Sequence, residues 1–436
     1  MSDLFAPLTL PCGVVVPNRI AKAAMEENQA EAGQVPGAVL NTLYRAWADG
    51  GAGLIITGNV MVDPRAMTGP GGVVLERATL EEPGARERFE AWAEAGTSGE
   101  GALIMQISHP GRQVYATQGT DVVSPSATKV EVPGFAKMFR EARALTTDEI
   151  REQIRRFAET AQAAEAVGFD GVQVHAAHGY LLAQFLSPLT NLRDDEWGGS
   201  LENRARFLLE IVRAVRDRVR PTSCVGVKLN SADFQRGGFA EADAAQVVEW
   251  LGAEGVDFVE LSGGSYESAA MMGQTQDGRM DGRMEGGKDA RSESTAQREA
   301  YFLDFVPEIA KAAIMPVMVT GGITKRATAE HVVGQPDIDM VGIARALAFR
   351  PDLPSLWRAG KSLEVPVARA SWKNKGLAGL AGMAMTKANL DRLGHGEAPK
   401  ARPGPMRSLV ADQLQRARST KRYKAWLAER HPEALL

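Results

Sequence analysis

Cysteine is nearly absent from this chain: Cys12 and Cys224 are the only two in 436 residues. Two thiols without CxxC spacing cannot hold a four-cysteine iron–sulfur cluster and give no framework for several disulfides. That scarcity fits a reducing compartment, so a cytoplasmic location is expected. Histidine is also scarce, with six, which leaves few imidazoles for a metal site. No apolar run is long enough to span a bilayer, and the start, MSDLFAPLTL, lacks the basic-then-apolar pattern of a secretory signal. Positive charge is not in excess. A net charge of −4 is not the signature of a nucleic-acid binder. These absences leave a soluble protein acting on small molecules, with neither nucleic acid nor membrane as partner.

Short β-rich runs alternate with longer amphipathic stretches. Strands are expected near Arg19–Ala23, Leu54–Thr57, Leu103–Ile107, Gly171–Val174, Val225–Leu229, Phe258–Leu261, Pro316–Thr320 and Met340–Ile343. Helices are expected at Ala38–Asp49, Thr147–Val167, Leu201–Arg218, Glu241–Glu254 and Glu299–Ala313. Thr146 followed by Glu149 has capping-box spacing, and Gly168 and Gly255 stand where helices end. Eight strands alternating with helices favour an α/β fold of the (β/α)8 TIM-barrel type. The competitor, an open doubly wound sheet, would carry G-x-G-x-x-G after its first strand, and that motif is missing there.

Several segments fall outside the basic barrel. Residues 1–18 read as an N-terminal hairpin under the barrel floor. Residues 108–146 and 262–298 are long loops after strands three and six, expected to overhang the carboxyl face. We divide the chain into a barrel domain, residues 1–365, and a basic, partly helical C-terminal extension, residues 366–436, with a helical pattern over Met406–Arg430. The extension has two readings: a surface that packs on the barrel or joins copies into a homo-oligomer, or a solvated basic helix.

The densest chemistry lies in HAAHGYLL, where His175, His178 and Tyr180 follow a buried-strand pattern. Barrels gather active residues at the carboxyl ends of their strands. Three hydrogen-bond donors at such an end suit an oxygen on which negative charge develops. In this reading His175 and His178 donate to a carbonyl oxygen, and Tyr180, protonated at neutral pH, delivers a proton. A pair of zinc-binding imidazoles in a metal-dependent hydrolase, and packed structural histidines, are the alternatives.

Thr320-Gly321-Gly322 after strand seven and Ala344-Arg345 after strand eight form a phosphate-type pair, because barrels often hold a phosphate there. Gln106 and Lys228 are polar residues in otherwise apolar strands. A buried lysine is costly unless a negative group meets it. An amide and a cation aimed into one barrel suit a planar heterocycle that gains negative charge on reduction.

Together these segments resemble the Old Yellow Enzyme family of FMN-dependent NADH:flavin oxidoreductases, over about Leu4 to Pro354. The resemblance rests on Pro17-Asn18-Arg19-Ile20, Gln106-Ile107-Ser108-His109-Pro110-Gly111-Arg112, HAAHGYLL, QFLSP, Asn191-Leu192-Arg193-Asp194-Asp195, GGSLENRARF and the two glycine segments. It implies an FMN-binding TIM barrel reduced by NADH or NADPH, acting on activated C=C bonds of α,β-unsaturated carbonyl compounds by ping-pong hydride transfer. By position it implies that Ala23, Ala24, Met25 and Glu26 line the flavin edge with Gly58 beside it. Gln106 and Lys228 would meet the pyrimidine ring, and Gly321, Gly322, Ala344 and Arg345 the phosphate. His175 and His178 would bind substrate, and Tyr180 would protonate it. A family member that demethylates or dehydrogenates substrate and passes electrons to a carrier is the alternative activity. A non-catalytic flavin binder is a further one. Two positions depart from the family pattern. Glu26 stands where relatives carry Cys or Thr beside the flavin, and Asn28 stands near a substrate-contacting Tyr.

Overall fold

A computed structural model of the full chain describes residues 3–131, 137–263 and 306–435. Eight parallel strands close into a barrel: β1 (Ile20–Lys22), β2 (Leu54–Ile56), β3 (Ala102–Ser108), β4 (Gly171–Ala176), β5 (Cys224–Asn230), β6 (Phe258–Ser262), β7 (Val317–Thr320) and β8 (Met340–Ile343). Each pairs with the next, and closure comes from β8 against β1, with Ile343 opposite Lys22. All eight expected strands form, so the (β/α)8 barrel stands.

The helices follow from local chemistry. Thr147–Ala166 opens with the expected capping box: Glu149 N–H donates to Thr146 Oγ1 at 3.3 Å, and Thr146 N–H to Glu149 Oε2 at 2.8 Å. Gly168 and Gly255 take left-handed φ of +96° and +74° just past their helices, conformations that favour glycine. The helix Ala85–Gly96, absent from the sequence reading, is present. It buries Phe89 and Trp92, but Gly84 stands at its start and four of its apolar residues are alanines, so its apolar stripe is weak. The loop expected over residues 262–298 and the first part of the helix expected from Glu299 lie outside the described residues.

The N-terminal hairpin forms as Leu8–Thr9 against Val15–Val16. Its Leu10 and Val16 pack with Ala21, Leu54, Ile104, Phe258 and Met340 in a cluster separate from the main core. The hairpin also brings Cys12 to Cys224 and Asp257, 212 positions apart in sequence for the two thiols, with ligand atoms within 4.8 Å of one another. Among the described residues no helix is long and apolar enough to cross a membrane.

The C-terminal extension consists of two helices, Lys375–Gly394 and Pro405–Arg430. The second packs on its own barrel: Tyr423 and Leu427 are buried with Met61, Met67 and Val74, and Tyr423 donates its hydroxyl hydrogen to Pro64 O at 2.7 Å. The solvated-helix reading is corrected by this contact. The first helix was read only as a Gly/Ala/Met segment. Its glycines at 376, 379, 382 and 394 lower helix propensity, and burial of Ala381, Ala384, Met385 and Leu390 offsets that cost.

Candidate active site

The ends of β4, β5 and β6 bring the HAAHGYLL residues together. Past Ala176 the chain turns through His178 and Gly179, both left-handed, at φ of +58° and +72°. The turn stacks three rings edge to face: His175–His178 centroids are 5.2 Å apart and His175–Tyr180 centroids 4.8 Å. Holding a histidine left-handed costs roughly 1–3 kcal/mol. Two bonds offset it: His178 N–H to Asn230 Oδ1 at 3.1 Å, and Nε2 against Ser262 Oγ at 2.8 Å.

Both imidazoles are neutral. Burial is the main cause and the nearby Lys228 cation adds to it, pushing His178 down to about 3 and His175 well below its usual 6.5. The tautomer of His175 follows from geometry. Ala177 N–H donates to its Nδ1 at 3.1 Å, so the proton sits on Nε2 and that nitrogen is a donor. Tyr180, 4 % exposed, points its hydroxyl at Glu26 Oε1 at 2.9 Å. Asn59 Nδ2 donates to the same oxygen at 3.0 Å. Glu26 therefore does not stand apart from the histidine–tyrosine cluster: its carboxyl is the partner of the expected proton donor.

Beneath this cluster a buried polar chain crosses the barrel. Gln106 Nε2 donates to Gln173 Oε1 at 2.6 Å, Gln173 Nε2 donates to Glu260 Oε2 at 2.8 Å, and Lys228 Nζ lies 2.7 Å from Glu260 Oε1. The strand register sets it, since Gln173 sits opposite Gln106 and Lys228 opposite Glu260. The negative group required by a buried Lys228 is thus Glu260. A second buried pair stands under Gly58: Lys22 Nζ meets Glu27 Oε1 at 3.3 Å and Ile56 O at 2.8 Å. Tyr44 donates to the same Glu27 oxygen at 2.9 Å and accepts from Gly58 N–H at 3.1 Å. A Cβ on Gly58 would overlap Glu27 Oε2 and Met25 O, so the backbone here runs where only glycine fits. Burial lowers the Lys22 pKa, opposed by the Glu27 charge.

On the other side of the barrel mouth, Thr320 and Gly342 are register partners, which places Gly321-Gly322 beside Ala344-Arg345. A Cβ on Gly342 would overlap Thr320 Oγ1, and that buried oxygen has no hydrogen-bond partner. Gly322 is left-handed at φ +64°. Arg345 is exposed at this edge.

Sequence reading missed Gln173, Glu260, Lys22 and Glu27, although three of them carry the signal that exposed Gln106 and Lys228: one polar residue in an apolar strand. Asn59 and Ser262 carry no such signal, being polar residues at loop and strand ends. Arg112 and Arg193 brace the structure, the first on Lys129 O at 2.7 Å and the second on Asp195, Pro125 O and Leu145 O. Among the described residues His175 and His178 belong to no group of three metal-type ligands.

The family model described as NADH:flavin oxidoreductase / NADH oxidase matches residues 3–364. An NADH-dependent flavin oxidoreductase of Hypocrea jecorina (strain QM6a) is 36% identical over 81% of this chain and 89% of its own length. Among solved structures, morphinone reductase in complex with tetrahydroNAD has a TM-score of 0.67 at 25% identity, covering 84% of this chain and 93% of that one. A 2-naphthoyl-CoA reductase in complex with 2-naphthoyl-CoA has a TM-score of 0.71 at 25% identity. It covers 82% of this chain, which spans about half of that longer protein, 52%.

Proposed function

The chain belongs to the NADH:flavin oxidoreductase / NADH oxidase family, uses FMN and is reduced by a nicotinamide dinucleotide, and from that premise we propose an ene-reductase that hydrogenates activated C=C bonds by a ping-pong route. FMN, when bound, supplies the hydride acceptor and donor. The residues fit that group. The buried Thr320 Oγ1, without a hydrogen-bond partner, offers a polar atom for a phosphate, with Gly321, Gly322, Ala344 and Arg345 holding it. Gln106 and Lys228 hold the pyrimidine ring, and Ala23, Ala24, Met25 and Gly58 border the ring system.

The observation that carries the reading is the neutral histidine pair beside a tyrosine at the end of β4. His175 Nε2–H, oriented by Ala177 N–H, and the His178 ring bind the substrate's carbonyl or nitro oxygen and polarise the double bond. Preorganised donors of this kind each contribute about 2.7–4 kcal/mol to a transition state that gathers charge on oxygen. Tyr180 protonates the α-carbon, Glu26 positions the donor by accepting the Tyr180 hydroxyl hydrogen bond, and a proton from solvent replaces the one transferred. Asn28 contacts the outer part of the substrate.

The visible spectrum of the purified holoenzyme tests this. The protein should be yellow, bleach with NADH under anaerobic conditions, and regain colour when cyclohexenone is added. Bleaching without reoxidation by any activated alkene would overturn the ene-reductase reading and favour transfer to an electron carrier.

A further inference from the structure

A cavity of about 490 Å³ lies between the barrel face and the two C-terminal helices, within the size range of small-molecule sites. Glu26 and Asn28 line it on the barrel side, and Glu26 is the carboxyl bonded to the Tyr180 hydroxyl. A ligand occupying the cavity would therefore end within one hydrogen bond of the expected proton donor. The outer wall is the extension, which lies beyond the region matched by the family model.

That wall is strongly basic. From Pro366 onward the chain has fourteen Lys and Arg against five Asp and Glu, in a protein whose net charge is −4. On the helix Pro405–Arg430, Arg407, Ala411, Leu414 and Arg418 recur at spacings of four, three and four, so they share one face, and all four line the cavity. Arg416 also lines it, fixed over the Tyr115 ring at 4.8 Å and paired with Asp412 at 3.2 Å. Asp412 pairs with Lys387 as well, at 3.7 Å. Of the other acids lining the cavity, Glu27 is committed to Lys22 and Tyr44, Glu26 accepts from Tyr180 and Asn59, and Asp391 lies 3.6 Å from His395. Among the described residues, Arg407 and Arg418 have no acidic partner. Arg407 and Arg418 are exposed on this face, and guanidinium recognises carboxylate and phosphate by paired N–H donors.

We infer that the C-terminal extension is the anion-recognising half of the substrate site: it holds a carboxylate or phosphate at the far end of a ligand whose reactive end lies at Glu26 and Tyr180. This rests on the ene-reductase reading for which end reacts, but the binding itself does not.

The test uses flavin-loaded, full-length protein and its R407A/R418A variant, with Lys421→Ala, on the same helix but outside the cavity, as control. Equilibrium binding is measured by calorimetry with 4-hydroxycinnamate, its methyl ester and 4-nitrophenyl phosphate. Turnover is measured with cinnamaldehyde and 4-carboxycinnamaldehyde, and flavin reduction with NADH and NADPH. The wild type should bind 4-hydroxycinnamate more tightly than its methyl ester, turn over 4-carboxycinnamaldehyde faster than cinnamaldehyde, and bind 4-nitrophenyl phosphate. The double variant should lose about ten- to thirtyfold of that preference, near the upper end for two partly exposed ion pairs, and the control none. Loss in the cinnamate or cinnamaldehyde arms makes the carboxylate the source, and loss with 4-nitrophenyl phosphate or in the NADPH-over-NADH ratio makes it a phosphate. Preference for the anion unchanged in every arm overturns the inference. If binding preference falls in the variant while no alkene is turned over by either protein, the anion site stands and the ene-reductase reading fails.

Discussion

A phenol has one hydrogen to give, and Tyr180 directs its own at Glu26 Oε1. Under the proposed mechanism, proton delivery to a carbon therefore requires the hydroxyl hydrogen to leave Glu26 Oε1, which positions it. Tyr180→Phe should leave flavin reduction by NADH intact and slow alkene reduction by about 10²–10⁴-fold, the usual contribution of a positioned acid. Glu26→Gln should slow the same oxidative half-reaction by about tenfold, and stopped-flow traces of the two half-reactions separate the cases. An oxidative rate unchanged in Glu26→Gln would remove it from positioning the donor. The histidines give a pH prediction of definite sign. Their folded pKa values lie below the unfolded 6.5, to about 3 for His178. The stability they contribute is thus complete above pH 6.5 and is lost as pH falls toward the folded values, by up to about 1.4 kcal/mol per pH unit for each. Urea midpoints at pH 7.5 and 5.5 should show this loss, reduced in His178→Ala. At this scale the donors were legible, because HAAHGYLL follows an apolar run. The Tyr180–Glu26 bond was not, because it joins strands separated by 154 positions.

The strand is where legibility was greatest. Parallel barrel strands are buried on both faces and read as unbroken apolar runs, so all eight were visible, and a polar intruder such as Lys228 marked itself. Its partner is a matter of register, which sequence alone does not specify: Glu260 faces Lys228 because β5 and β6 pair Val227 with Val259. Both residues are almost fully buried, 3 % and 0 % exposed. Lys228→Met would leave the Glu260 carboxylate buried and unpaired, at a cost of about 3–5 kcal/mol. Adding Glu260→Gln should recover most of it, since the amide carries no charge and its oxygen still accepts from Gln173 Nε2. A double variant as unstable as the single one, in denaturant titrations, would show that Glu260 is not what makes the loss of Lys228 costly. The helices were less uniform: Thr147–Ala166 announced itself by its cap, whereas Ala85–Gly96 and the glycine-bearing Lys375–Gly394 depend on what they pack against.

For the whole molecule the question is whether the extension is an appendage or part of the barrel's stability. The composition shift at Pro366 made a boundary legible, but not the direction in which the helices fold, because their contacts are long-range. Tyr423 is fully buried against Met61, Met67 and Val74, and its hydroxyl reaches Pro64 O, 359 positions earlier. The segment that receives it continues into Thr68–Gly71, which lines the cavity beside Glu26. Packing of the extension and the shape of that cavity are thus one arrangement. Tyr423→Phe removes one hydrogen bond and leaves the Pro64 carbonyl without a donor, a loss of about 1–3 kcal/mol. Tyr423→Ala removes the ring as well and should cost about 3–5 kcal/mol. Flavin fluorescence and far-UV circular dichroism followed through urea should report the same lowered midpoint, because the barrel and the extension unfold together. If the flavin transition stays at the wild-type midpoint while helical signal is lost earlier, the extension folds as a separate unit and the mouth of the site is held by the barrel alone.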